Sequence, residues 1–132
     1  IDGFYAGATT DAGVQWKLEM ADGPYYGDLT GDKKEEAAFV LRYGPVTAPN
    51  MAEARVYTLQ QGKIVLLATF QIAKAVNCQL INYIKIEHGT LFVERVFGDA
   101  ARCDHNEMTQ YRWNGKDFMP VGDVKRMPCH CM

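Results

Sequence analysis

The sequence predicts a single, mainly β domain: an antiparallel meander of six to eight strands, folded into a sandwich or a strongly curved sheet. Three observations predict it. The turn dipeptides Gln61-Gly62, His88-Gly89 and Asn114-Gly115 recur at nearly equal intervals, and such pairs supply the positive φ that tight hairpins need. The residues flanking them alternate or run apolar over strand lengths. The chain of 132 residues is 48% hydrophobic and 23% charged, enough for one core and too apolar for a disordered segment. The domain covers 1-132, and the tail from about 121, which contains Pro128 and has no period, is expected to be poorly structured.

Taken in order, Val14 to Met20 alternates and reads as a strand, broken by Ala21-Asp22-Gly23-Pro24. Lys33 to Tyr43 carries two signals. Asp32 with Glu35 resembles a capping box and Lys-Lys-Glu-Glu-Ala-Ala favours helix. The short apolar run from Ala37 to Leu41, closed by Gly44-Pro45, fits a buried strand. The strand is the expectation, because burial overrides local propensity in short apolar runs. Thr47 to Ala52 reads as a loop.

Around Gln61-Gly62 a two-residue loop sets Leu59 opposite Ile64 and Tyr57 opposite Leu66. Thr58 with Val65 and Val56 with Leu67 meet on the other side. Both sides are apolar, so this hairpin is expected to be central and covered twice. Around His88-Gly89, Ile86 faces Leu91 and Ile84 faces Val93, while Lys85 with Phe92 and Tyr83 with Glu94 form the mixed side. Such asymmetry suits a half-buried pair. Around Asn114-Gly115, Tyr111 faces Phe118 and Arg112 faces Asp117. Gly98 to Met108 is polar and reads as a long connection.

Composition removes several functions. A net charge of −2 with interspersed signs gives no basic patch for nucleic acid. The longest apolar runs, such as Ile64 to Ala68, are far too short for a transmembrane helix. No Gly-x-Ser-x-Gly elbow, phosphate loop or dinucleotide fingerprint occurs. The aromatic residues Trp16, Tyr25, Tyr26, Tyr57, Tyr83, Tyr111 and Trp113 are expected in core and cross-strand packing, with a sugar or peptide surface as the other reading.

One segment carries metal chemistry. Asp28, Thr30, Asp32 and Glu36 occupy relative positions one, three, five and nine, and Lys34 at seven would contribute its backbone carbonyl. That spacing can fold oxygen ligands around a hard cation such as calcium. The segment from Gly27 through Asp32, continuing Lys34-Glu35-Glu36-Ala37-Ala38-Phe39-Val40-Leu41, resembles the aspartate-rich calcium loop of FG-GAP and VCBS-type repeats. More closely, it resembles small exported bacterial proteins of uncharacterised function that carry one such loop. The resemblance covers roughly residues 25 to 119. It implies a periplasmic or extracellular location and a strand from Ala37 to Tyr43. The chain departs from the pattern at Lys33, where the loop turns on glycine, at neutral Thr30 and at the longer Glu36. Each change weakens a calcium site. A polar turn, with Asp28 and Asp32 bonded to backbone amides, is therefore preferred over an occupied site, and no cofactor is assigned.

Cys78, Cys103, Cys129 and Cys131 form an even count, which in a small exported domain favours disulfides. Counting along the His88-Gly89 hairpin brings Cys78 and Cys103 to one end, so a Cys78–Cys103 bridge is expected. Cys103, Asp104, His105, Cys129, His130 and Cys131 also have the residue types of a zinc cluster, but their spacing matches no paired motif. The chain begins at Ile1, for which a cleaved export signal is one account and a trimmed sequence the other. These readings lead to a non-enzymatic exported protein that binds an unknown macromolecule or stabilises an envelope assembly. The alternatives are a small metal-dependent hydrolase using His105 and the cysteine-rich tail, or an inhibitor of a secreted enzyme.

Overall fold

A computed structural model describes residues 15–45, 51–76, 78–99 and 101–131 with their side chains, and the backbone of residues 4–9. Nine strands are present and no helix occurs among the described residues: β1 (Phe4–Thr9), β2 (Gln15–Gly27), β3 (Glu36–Pro45), β4 (Met51–Gln60), β5 (Lys63–Ala73), β6 (Ile84–Glu87), β7 (Thr90–Gly98), β8 (Cys103–Trp113) and β9 (Phe118–Met127). They form two antiparallel sheets, ordered β1-β2-β3-β4-β5 and β6-β7-β8-β9. Every strand pairs with its neighbour in sequence, so the meander is complete within each sheet. The inner faces share one core that includes Val40, Val56 and Ile72 from the first sheet and Ile84, Leu91 and Val93 from the second. Each is at most 3% exposed, and burying such a side chain stabilises by about 1.5–3 kcal/mol.

The run Ala37–Leu41 is a strand. Glu36, Ala38 and Val40 point into the core at 0% exposure. Asp32 does not cap a helix, since its Oδ1 accepts the Lys34 N–H at 2.9 Å. Turns lie at the three expected glycines. Gln61 and Gly62 (φ 51° and 76°) and His88 and Gly89 (φ 51° and 77°) are two-residue loops with both residues left-handed. The pairs Leu59↔Ile64, Tyr57↔Leu66, Ile86↔Leu91 and Ile84↔Val93 stand as read from sequence.

Other readings are corrected. A register shift past Tyr57 sets Val56 opposite Ala68, not Leu67. The third hairpin has a four-residue loop, because Asn114 Oδ1 accepts from Lys116 N and Asp117 N at 2.9 and 2.8 Å. Trp113 therefore faces Phe118, Tyr111 faces Pro120 and Arg112 faces Met119, and Arg112 Nε donates to Thr90 Oγ1 at 3.0 Å instead of pairing with Asp117. The polar stretch 98–108 is mostly strand, as β7 reaches Gly98 and β8 starts at Cys103. Strand also runs through the expected loose tail to Met127. In both segments ladder bonding to the neighbouring strands compensates for weak apolar patterning. Met51 and Ala52 already belong to β4, and the rest of the expected 47–52 loop lies outside the described residues. The β4–β5 hairpin is not covered twice. β5 is a sheet edge, and Leu59, Ile64 and Leu66 are 57%, 77% and 48% exposed.

Ala21-Asp22-Gly23-Pro24 does not end β2. It makes two register shifts that turn the Asp22 carboxylate toward the second sheet. Asp22 Oδ2 accepts from Tyr83 N at 2.7 Å and Ile84 N at 3.1 Å, and Tyr25 OH donates to Oδ1. The bond to Asp22 pushes the Tyr25 hydroxyl up to about 12, with desolvation and the Asp22 charge acting the same way. One buried carboxylate thus pins the start of β6 to β2. Gly27 is needed nearby for close approach, since a Cβ there would lie 2.5 Å from Ile86 Cγ2.

Candidate functional site

The acidic loop joins β2 to β3 at the end of the sandwich that also holds the Gln61-Gly62 and His88-Gly89 turns. Asp28, Asp32 and Glu36 converge there, each offering a carboxylate oxygen within 4.8 Å of the others. Their oxygens are turned to the chain itself. Asp28 Oδ1 accepts from Gly31 N and Oδ2 from Lys33 N, both at 2.8 Å. Glu36, fully buried, accepts from Leu29 N at 2.7 Å and Thr30 N at 3.0 Å on Oε1, and from Thr58 Oγ1 at 3.0 Å on Oε2. Desolvation pushes the Asp28 pKa up, but the backbone N–H groups of Lys33, Gly31, Asp32 and Thr30 outweigh it and hold the carboxyl below its ordinary value.

The fit to a cation is partial. Thr30 Oγ1 is buried with no hydrogen-bond partner, as a ligand waiting for an ion would be. Lys34 enters through its N–H, donated to Asp32. Lys33, at φ 66°, makes the turn in a conformation that costs a non-glycine residue energy. Amide-bound carboxylates and a Lys33-Lys34 pair beside them suit a backbone staple better than a calcium cage.

The cysteines lie at the other end of the sandwich. The bonds are Cys78–Cys131 and Cys103–Cys129, so the expected Cys78–Cys103 bridge is wrong. Its geometry was nearly right: the Sγ atoms of Cys78, Cys103 and Cys131 all lie within 4.8 Å of one another. The missing element was β9, which pairs Met127 with Asn106 and so delivers Cys129 to Cys103. All four sulfurs are spent in these bonds.

His130 and His105 are engaged as well. His130 Nε2 meets Glu94 Oε2, which also accepts from Asn106 Nδ2 at 2.8 Å. His105 Nδ1 contacts Asp104 Oδ2 at 2.6 Å and Nε2 contacts Glu107 Oε2 at 2.7 Å, with its ring stacked on Phe97 at 4.9 Å. Both partners are carboxylates and accept only, so the ring donates at both nitrogens as an imidazolium. Asp104 first and then Glu107 raise its pKa through these bonds. Both ring nitrogens of His105 are thus occupied by neighbouring carboxylates.

The surface that sequence reasoning missed is the outer face of the first sheet. Trp16, Leu18 and Met20 on β2 stand beside Pro45, Tyr43 and Leu41 of β3. Tyr57 and Leu59 on β4 stand beside Leu66 and Ile64 of β5. Phe39 and Tyr57 stack at 5.5 Å with rings 9° apart. A hollow of about 500 Å³ lies among Trp16, Lys17, Leu18, Leu41, Tyr43, Glu53 and Arg55. Its polar centre is ordered: Arg55 Nε donates to Glu53 Oε1 at 2.7 Å and Nη1 to Tyr57 OH at 3.3 Å. Trp16 and Tyr57, expected in core and cross-strand packing or on a sugar or peptide surface, line this outer face, Tyr57 stacked across the strands on Phe39, while Tyr83 and Tyr111 are buried. The signal was present in the β4–β5 hairpin, where both sides next to the turn are apolar, more than a two-sheet sandwich can bury. No protein-family model, no curated protein and no solved structure matches the chain.

Proposed function

We propose that the protein is a non-enzymatic binding module of the periplasm or extracellular space, and that its outer β1–β5 face takes an extended apolar segment of a protein partner. The observation that carries this reading is the outer apolar surface that runs from Trp16, Leu18 and Met20 through Leu41 and Phe39 to Tyr57, Leu66 and Ile64, around the Glu53–Arg55 pair. Exposed apolar area on this scale marks interaction sites, and aromatic residues with Met and Arg are the composition of interface centres. The ordered Glu53–Arg55 pair gives the face a polar anchor that a lipid-binding surface does not need. Two disulfides support an oxidising compartment, as does the resemblance of the acidic loop to that of exported proteins. Among the described residues no helix is long and apolar enough to cross a membrane.

An array of apolar decapeptides, read by the emission of Trp16 in a Trp113→Phe background, tests the proposal. Binders should shift Trp16 emission to the blue and lose at least tenfold in affinity in Leu41→Asp. Binders indifferent to Leu41→Asp, or an array with none, would remove this face as the working surface.

A further inference from the structure

The open edge of the first sheet carries a separate consequence. A long, exposed, apolar edge strand is a template for pairing, and protein edges are ordinarily blunted by shortness, charge, proline or bulges. The second sheet follows this rule. β6 has four residues, two of them Lys85 and Glu87, and β9 carries Pro120, Asp123, Lys125 and Arg126. β5 is blunted less. It runs 11 residues with Lys63 as its one charge and no proline, and its two bulges, at Leu67 and Ile72, lie beyond residues 64–66.

We propose that β5 pairs antiparallel with β5 of a second copy about a two-fold axis, joining two first sheets into one continuous sheet. The hairpin fixes which backbone groups are free. The two-residue loop makes Gln60 and Lys63 a hydrogen-bonded pair, so Thr58 and Val65 are the next, and the N–H and C=O of Ile64 and Leu66 point to the open side. At the far end the edge is closed, since Arg95 Nε donates to the Gln71 carbonyl at 3.1 Å. The open stretch therefore centres on residues 64–66.

One register satisfies both backbone and side chains. With Val65 opposite Val65 of the second copy, Ile64 lies opposite Leu66 twice, and all four residues turn their free backbone groups toward one another. The same register puts Ile64 and Leu66 of both copies on one face, next to Leu59. These side chains are 77%, 48% and 57% exposed in the single chain. The two Lys63 side chains fall about 14 Å apart along the strands, beyond the roughly 8 Å screening length of physiological salt. The edge is thus self-complementary in hydrogen bonds, apolar surface and charge.

Sedimentation equilibrium of the oxidised chain, from about 1 to about 500 µM, tests this. A closed monomer–dimer equilibrium is expected, and Ile64→Lys with Leu66→Lys should weaken it at least tenfold by setting lysine against lysine. Because both sites are exposed, the melting temperature of the dilute variant should match the parent. Val65→Cys should form a cross-linked dimer through residue 65, shown by peptide mapping, and Gln71→Cys should not. A chain that stays monomeric throughout, a double variant that dimerises undiminished, or open-ended polymers would each overturn the proposal. So would a monomer whose edge instead captures an extended peptide of the sequence of residues 63–69.

Discussion

The two ends of the sandwich are closed by different physics. At the turn end, the loop between β2 and β3 is held mainly by backbone N–H groups that donate to Asp28, Asp32 and Glu36 across at most seven residues, with one longer bond from Thr58 Oγ1 to Glu36. At the other end, two covalent bonds span 53 and 26 residues. The short-range closure adds little order to the unfolded chain and must be stable by its own local geometry. The long-range closure acts mainly by restricting the unfolded chain. One sequence thus uses enthalpy of buried carboxylates at one end and covalent connectivity at the other.

The sharpest way to break this comparison is to cut the long closure. Removing Cys78–Cys131 as a pair of serines should cost about 4 kcal/mol from loop-closure entropy, read as a fall in the urea midpoint. A loss well below that would show that β9 pairing alone fixes the tail. Next in size is the short closure. Glu36→Ala strands the buried Leu29 N–H, the Thr30 N–H and the Thr58 hydroxyl, and should cost about 3 kcal/mol. Asp22→Ala, which frees the buried amides of Tyr83 and Ile84 at the start of β6, belongs in the same range, and hydrogen exchange should then open β6 before β3.

The ends should also soften at different pH. Asp28 has a lowered folded pKa, so its contribution is present above its unfolded value near 3.8 and is lost as pH falls through the lower folded value. His105 has a raised folded pKa, so its contribution is full below 6.5 and is lost as pH rises through the higher folded value. Asp104, held low chiefly by its bond to His105, adds an acid limb at the same end. Softening as pH rises above 6.5 should therefore begin at the disulfide end, whereas Tyr25, raised to about 12, adds its loss only above its unfolded value near 10. An NMR titration of the His105 ring with a midpoint at or below 6.5 would contradict the doubly bonded imidazolium.

The smallest expected effect is that of calcium. With Asp28 and Glu36 bonded to amides, saturating calcium should leave the melting temperature nearly unchanged in both the parent and Asp32→Asn. A tightly bound ion present at a hundredfold over its dissociation constant would instead add about 2.7 kcal/mol, and Thr30 Oγ1 would be the atom to watch.

What the sequence made legible follows the same division. The turns at Gly62 and Gly89 and the burial of Ala38 and Val40 depend on neighbours in the chain, and local patterns revealed them. The Asn114 loop was misjudged by two residues because an Asn side chain capping its own turn leaves no apolar signature. The disulfide pairing required the placement of β9, whose residues have no period to announce a strand. Asp22 read as a break because its partners, Tyr83 and Ile84, lie some sixty residues away. For the outer face, the surplus of apolar residues in the β4–β5 hairpin was visible, but surplus alone does not say which side is solvent.

The connectivity of the disulfides also sets an order of events during synthesis. The pairs within the first sheet use residues no later than Ala73, each joined to its neighbour in sequence. Neither covalent bond closes until residues 129–131 have emerged, and the Cys103–Cys129 loop is nested inside the Cys78–Cys131 loop. Chains emerge and fold N-terminus first. The first sheet is therefore assembled while its β5 edge is still without the Arg95 that covers Gln71, and the newborn chain passes through a stage in which the whole of that edge is bare. Crowding of nascent chains would act on that stage first.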